Sequence, residues 1–251
     1  MDFGKLLDYF KTKKKLNNPL YVLLILAYVA VPTVLIIMQP DYGTAMVFLV
    51  VAALMIFISG INIGYIIGAI VTVVVGVYVA YQYILPDYAK TRITVFLNPE
   101  MDPSGAGYNI IQSQLAVGSG QMWGMGLYNG NQTQLGYLPM KTTDFIFAVI
   151  SEEMGFIISC TIVILFVLLI SKSIHIAKTA KDNYGSLISI GVAGMFLAHF
   201  LENVGMNIGL MPITGIPLPF ISYGGSAMLT NFIGLGLLLN VSGRRNKKLF
   251  E

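Results

Sequence analysis

What this chain has least of is charge. Charged residues are 11% of its 251 positions, where a soluble domain carries about a quarter. With 56% hydrophobic residues, so few charges could not keep a globule in water, and the implied solvent is lipid. Cysteine is nearly absent: Cys160 alone, inside an apolar run, excludes a disulfide framework and a thiol cluster for zinc or iron–sulfur. Residues 1–19 are polar and lysine-rich and lack a short apolar core with a small-residue cleavage site, so no removable signal is expected and the first span serves as anchor. The net charge of +3 comes from residues that flank apolar runs rather than from a basic face with interleaved aromatics, so no nucleic-acid partner is expected. No internal repeat, nucleotide-binding glycine loop, Ser-His-Asp arrangement or paired-carboxylate spacing stands out.

Apolar runs dominate. A hydrocarbon core about 30 Å thick needs roughly 20 apolar residues per helix. Candidate spans are Tyr21–Met38, Tyr42–Ser59, Ile61–Leu85, Phe145–Ile170, Tyr184–Met206 and Gly225–Val241. The reading is an all-α, polytopic membrane helix bundle of about six spans, with a tight turn or a bend in one broken helix near Gly60 and Asn62. Its segments are a cytoplasmic 1–19, a transmembrane 20–243 holding an external loop at 86–144, and a basic tail at 244–251. With both termini cytoplasmic, Lys5, Lys11, Lys13, Lys14, Lys15, Lys172, Lys178, Lys181, Arg244, Arg245, Lys247 and Lys248 lie inside, and Lys90, Arg92 and Lys141 outside. Twelve against three satisfies the positive-inside rule.

The loop from Pro86 to Asp144 is far longer than a connection between packed helices requires, and such loops carry function. Within it, Asn109–Ala116 alternates apolar and polar residues like a short interfacial helix, Trp123 and Tyr128 suit the aromatic belt, and a glycine-rich stretch runs from Gly118 to Gly130. The segment from Pro212 to Gly225 cannot be regular helix, because Pro217 and Pro219 each remove a donor. Non-helical backbone at membrane depth must be buried in protein or line a wet cavity.

Asp144, opening the fourth span after Thr142 and Thr143, reads either as a helix cap or as a general base or ligand at the water boundary. On a continuous helix Ala148, Ser151 and Gly155 share its face, a small-residue stripe suited to close helix packing or to a lipid-tail groove. Glu152 and Glu153 lie deeper and read as interior polar contacts. His199 and Glu202 read as a polar packing pair rather than metal ligands, and Asp41 as a turn residue.

Four segments together resemble the SEDS family of cell-wall polymerases, which includes RodA, FtsW and SpoVE. They are Gln39-Pro40-Asp41-Tyr42-Gly43-Thr44; Gln112-Ser113 through Gly118-Ser119-Gly120; Leu138-Pro139 through Thr143-Asp144-Phe145 to Glu152-Glu153 and Gly155; and Pro212 to Gly225. The loop wording is more similar to the RodA branch. The resemblance implies a peptidoglycan glycosyltransferase that polymerises lipid II on the outer face of the bacterial cytoplasmic membrane, serving cell elongation and shape. It implies a class B penicillin-binding protein as partner, lipid II and undecaprenyl-linked glycan as substrates, a divalent cation (Mg or Mn) and no organic cofactor. Asp144 becomes the catalytic residue. Lys141 and Arg92 would shield the pyrophosphate, and Thr143, Gln112, Ser119, Ser151, Glu152 and Ser222 are expected to bind substrate; the metal ligands stay unassigned.

The chain departs from the family in having Met140, Lys141 and Thr142 where relatives usually show Glu, a basic or polar residue and His. It also lacks the upstream Gln-Pro-Ser-Glu motif and has about six spans rather than ten, as expected of a truncated product or a diverged, inactive paralogue. A lipid II flippase and a non-catalytic membrane subunit of a cell-wall synthesis complex therefore remain as alternatives.

Overall fold

The computed structural model describes residues 2–83 and 87–244. Leu85 and Pro86, where a span was expected to meet the long loop, and the basic-tail residues Arg245, Lys247 and Lys248 lie outside the described residues. The helices are α1 (Phe3–Thr12), α2 (Pro19–Ile37), α3 (Tyr42–Ser59), α4 (Ile63–Tyr83), α5 (Asp87–Leu97), α6 (Ala106–Ser119), α7 (Asn131–Gln134), α8 (Ile146–Lys178), α9 (Asn183–Asn207) and α10 (Gly225–Gly243). Among the described residues the α2, α3, α8, α9 and α10 helices are long and apolar enough to cross a membrane. The sixth expected span coincides with α4, 21 residues long, several of whose side chains lie outside those described. Large apolar side chains on α2 stand well exposed, with Leu20 at 70%, Leu23 at 66% and Val31 at 62%. In lipid that exposure costs nothing.

Helix boundaries follow local chemistry. Asp2, Asn18 and Asp41 cap α1, α2 and α3 by accepting the amides of Gly4, Leu20 and Thr44. Pro19 supplies the fixed φ of a first helical position. Gly60, at φ +91°, ends α3 in the left-handed conformation, which makes the Gly60–Asn62 connection a tight turn rather than a bent helix.

The chain forms two compact units that interleave along the sequence. The first comprises Met1–Val75, Leu168–Ala198 and Thr230–Glu251. Its core gathers Leu7 and Phe10 of α1, Ile25, Met55, Ala177, Leu187 and Ile190. The amphipathic α1 thus spends its apolar face on protein and leaves Lys5 and Lys11 exposed. After α1, Lys15 donates to the Tyr21 hydroxyl at 3.0 Å, which holds its ammonium above the ordinary lysine value.

The second unit, Gly76–Val167 with His199–Leu229, holds the long loop and the irregular segment. One cluster packs Phe147, Phe166, Phe200, Val204 and Leu218, with the Phe166 and Phe200 rings stacked at 4.9 Å. Another packs Ala116, Leu138, Phe145 and Ala148. The short helix expected over Asn109–Ala116 is present and longer, as α6. Residues 208–224 contain no helix, as the prolines require.

The small-residue stripe needs correction. Gly155 sits at φ +78°, ψ −176° and breaks α8. Asp144 lies in a turn ahead of the helix. A continuous helical wheel from Asp144 through Gly155 therefore does not exist.

Candidate active site

The turn that carries Asp144 is built on one carbonyl. Met140, at φ +51°, accepts the amides of Thr143 (3.2 Å), Asp144 (3.1 Å) and Phe145 (3.3 Å), and the Thr143 hydroxyl at 3.3 Å. The irregular segment straps this turn from its other side. The Ser222 hydroxyl donates to the Thr143 carbonyl at 2.7 Å and accepts the Leu218 amide at 2.8 Å. The Tyr223 amide donates to the Thr142 carbonyl at 2.9 Å. From α9, Asn203 Nδ2 donates to the Asp144 carbonyl at 2.9 Å and to the Ile216 carbonyl at 2.8 Å, while Asn207 Nδ2 donates to the Asp144 carbonyl at 3.2 Å.

Backbone and side chain of Asp144 are thus treated oppositely. Its main chain is bonded on all sides, whereas its half-buried carboxylate accepts no hydrogen bond among the described residues and caps no amide of α8. Gly215, at φ +75°, leaves room beside it, since an added Cβ there would stand 3.6 Å from Asp144 Oδ2. A carboxylate held in place but left without donors is available to a ligand or to a proton.

The remaining expected residues fall in three places. Thr143 and Ser222 join Asp144 directly. Glu152 is fully buried and anchors the loop: Oε1 accepts the Gln132 amide at 2.8 Å and the Ser119 hydroxyl at 3.5 Å, and Oε2 accepts the Thr133 amide at 3.1 Å. Lys141 Nζ donates to the Thr133 carbonyl at 2.9 Å, tying the same loop to the Asp144 turn. Ser151 pairs with Ser159 at 2.9 Å and lines an apolar cavity of about 560 Å³ with Val117, Phe147, Phe156, Val163 and Val204. Gln112 is half-buried on α6, its side-chain carbonyl without a partner among the described residues. Arg92 falls on α5, and its side chain lies outside those described. His199 is half-buried and Glu202 buried on α9. Asp41 is the cap of α3.

Three residues that sequence reading passed over shape the site: Asn203, Asn207 and Gly215. The available signal was a pair of carboxamides one turn apart in an apolar helix, since buried polar groups in a span are costly unless used. Among the described residues no three His, Cys, Asp or Glu side chains converge to hold a metal. One carboxylate does suit magnesium, which binds through one or two acids with substrate phosphates and water.

The profile of the FtsW/RodA/SpoVE family, described as cell cycle protein, matches residues 5–247. The peptidoglycan glycosyltransferase MrdB of Escherichia coli is 37% identical over 220 residues, covering 88% of this chain and 60% of the relative. Stage V sporulation protein E of Bacillus subtilis is 43% identical over 208 residues, covering 83% and 56%. A chain solved in a peptidoglycan synthase complex superposes with a TM-score of 0.75 at 26% identity, covering 92% of this chain and 64% of that one. Thermus thermophilus RodA superposes with a TM-score of 0.61 at 24% identity over 97% and 64%. The chain thus spans about 60% of the length of the curated relatives it matches.

Proposed function

Because the chain belongs to the FtsW/RodA/SpoVE cell cycle protein family, we propose that it takes part in polymerising lipid II into glycan strands, with Asp144 as the general base. It is a multi-pass protein of a bacterial cell membrane. The observation that carries the reading is the Asp144 carboxylate, without a donor among the described residues on a residue whose own amide and carbonyl are both bonded. Preorganisation of that kind is what general-base catalysis needs: the base must stand within hydrogen-bond reach of the proton it removes.

In the proposed reaction Asp144 accepts the proton of a sugar hydroxyl on the acceptor lipid II as that oxygen attacks the anomeric carbon of the growing chain. The bond from that carbon to the pyrophosphate breaks, and undecaprenyl pyrophosphate leaves with the electron pair. Lys141 and Arg92 supply positive charge for it; Lys141 spends one of its three donors on the Thr133 carbonyl and keeps two. Asp144 is the residue that would hold a divalent cation, which would supply further positive charge for the leaving pyrophosphate. Thr143, Ser222 and Gln112 offer neutral polar groups for the sugar. The apolar cavity beside Ser151 suits a polyprenyl tail, while Glu152 and Ser119 act through the loop they hold. The orientation with both termini cytoplasmic puts this chemistry outside, where a class B penicillin-binding protein would cross-link the strands.

The break in α8 favours one competitor, since carriers use discontinuous helices. A flippase reading predicts lipid II transfer across proteoliposome bilayers that is independent of Asp144. The deciding experiment is gel analysis of glycan strands made from fluorescent lipid II with magnesium and a penicillin-blocked class B partner. Long strands from the wild type that fall by about 10²-fold or more in Asp144→Ala establish the polymerase and its base. Equal strand yields from both remove the base assignment, and no strands from either favour a carrier or a non-catalytic subunit.

A further inference from the structure

We propose that Asn207, assisted by Asn203, is a positioning residue that keeps Asp144 out of the helix it precedes. The inference rests on the reading of Asp144 as the base. In an ordinary start to α8 the Ala148 amide would donate to the Asp144 carbonyl, four residues back. Here it donates to Asn207 Oδ1 at 3.1 Å, and the Asp144 carbonyl accepts Asn207 Nδ2 at 3.2 Å. One carboxamide therefore replaces one helical hydrogen bond, satisfying the same acceptor and donor with a side chain wedged between them. The first turn cannot wind back to include Asp144 while the wedge is in place.

The wedge is itself fixed. Asn207 Nδ2 also donates to the Asn203 carbonyl at 2.7 Å, and the buried Ser113 hydroxyl of α6 donates to the Asn207 carbonyl at 2.8 Å. Asn203 carries the junction onward, bonding the Asp144 carbonyl and the Ile216 carbonyl next to Gly215. Both carboxamides are fully buried, where polar groups persist only if their hydrogen bonds are made. Alanine at 207 would free the Ala148 amide and leave the Asp144 carbonyl with Asn203 Nδ2 as its remaining donor, so that its second lone pair could accept the ordinary helical bond. Asp144 would join α8, and its carboxylate would swing away from Gly215 while the protein stayed folded.

Two readouts on the full chain test this. In lipid II polymerisation, Asn207→Ala lowers kcat about 10-fold to 100-fold with KM changed less than about twofold, because a misplaced base costs rate rather than binding. Its effect disappears in the Asp144→Ala background, as expected of two residues serving one step. Asn203→Ala loses less in the same direction and serves if Asn207→Ala does not accumulate. As a control, Ser189→Ala removes a buried hydroxyl that bonds the Gly185 carbonyl and lowers thermal stability without moving kcat. Deuterium exchange reads the wedge without activity: the peptide spanning Asp144 to Ala148 changes its protection in Asn207→Ala and keeps it in Ser189→Ala. Unchanged exchange together with unchanged kcat overturns the proposal. So does a kcat loss of equal size in the Asp144→Ala background, which marks a merely structural role. Polymerisation absent from the wild type overturns the base assignment and the positioning role with it, whereas altered exchange in Asn207→Ala would still identify the wedge.

Discussion

Gly155 occupies φ +78°, ψ −176°, a region open essentially to glycine, and an added Cβ would stand 2.3 Å from the Gly124 backbone nitrogen. Gly155→Ala is therefore expected to destabilise by at least about 2 kcal/mol, read as a lowered unfolding midpoint in detergent. Gly136 provides the comparison: at φ +81° with nothing within 4 Å of its Cβ, Gly136→Ala should cost only about 1 kcal/mol, the strain without the clash. Glu152 belongs at this scale too. Its carboxyl oxygens accept two backbone amides, so Glu152→Ala leaves the buried Thr133 amide and the half-buried Gln132 amide without that partner and is expected to cost about 2 kcal/mol. The loss should concentrate in loop 130–141, seen as faster amide exchange there than in α9.

At the scale of elements, the break in α8 is closed by the glycine-rich loop. The Phe156 amide donates to the Gln121 carbonyl at 2.8 Å, and the Met125 and Gly126 amides donate to the carbonyls of Glu152 at 2.9 Å and Glu153 at 3.0 Å. These bonds partner backbone groups that the break frees, as backbone in a membrane protein requires. Gly120 and Gly124 permit the approach, since a Cβ on either would lie 1.8 Å and 2.2 Å from an α8 carbonyl oxygen. Amides 125, 126 and 156 are thus expected to exchange as slowly as those of the spans, although two of them sit in a loop by sequence. The adjoining cavity makes a separate prediction. Val163→Trp fills it beyond the break without touching Asp144, and should raise KM for a long-tailed lipid II several-fold while leaving a short-tailed analogue unaffected. Equal effects on both substrates would exclude the cavity as the tail site.

Orientation is the question of the whole molecule. Single cysteines in a Cys160→Ser background test it: Thr142→Cys should react with a membrane-impermeant maleimide in intact cells, and Lys181→Cys only after lysis. The reverse pattern would turn the protein over and move Asp144 to the cytoplasmic side. Most of the element map was legible in sequence, because helices in lipid obey a length and hydropathy rule that each segment meets by itself. The proline-broken segment at 212–225 was likewise written in local chemistry, whereas Asp41, read as a turn residue, caps α3 in the structure. Asp144 was singled out as a polar group at a span end beside family wording, with its surroundings unknown. The break at Gly155 escaped, since a glycine amid strong helix formers reads as continuous helix until another strand of backbone supplies the missing partners. The Asn203–Asn207 junction escaped for the same reason. Periodicity and composition act over a few residues, and these alone determined the spans. What surrounds Asp144 is decided by hydrogen bonds to residues 59 and 63 positions away, which only the tertiary structure brings together.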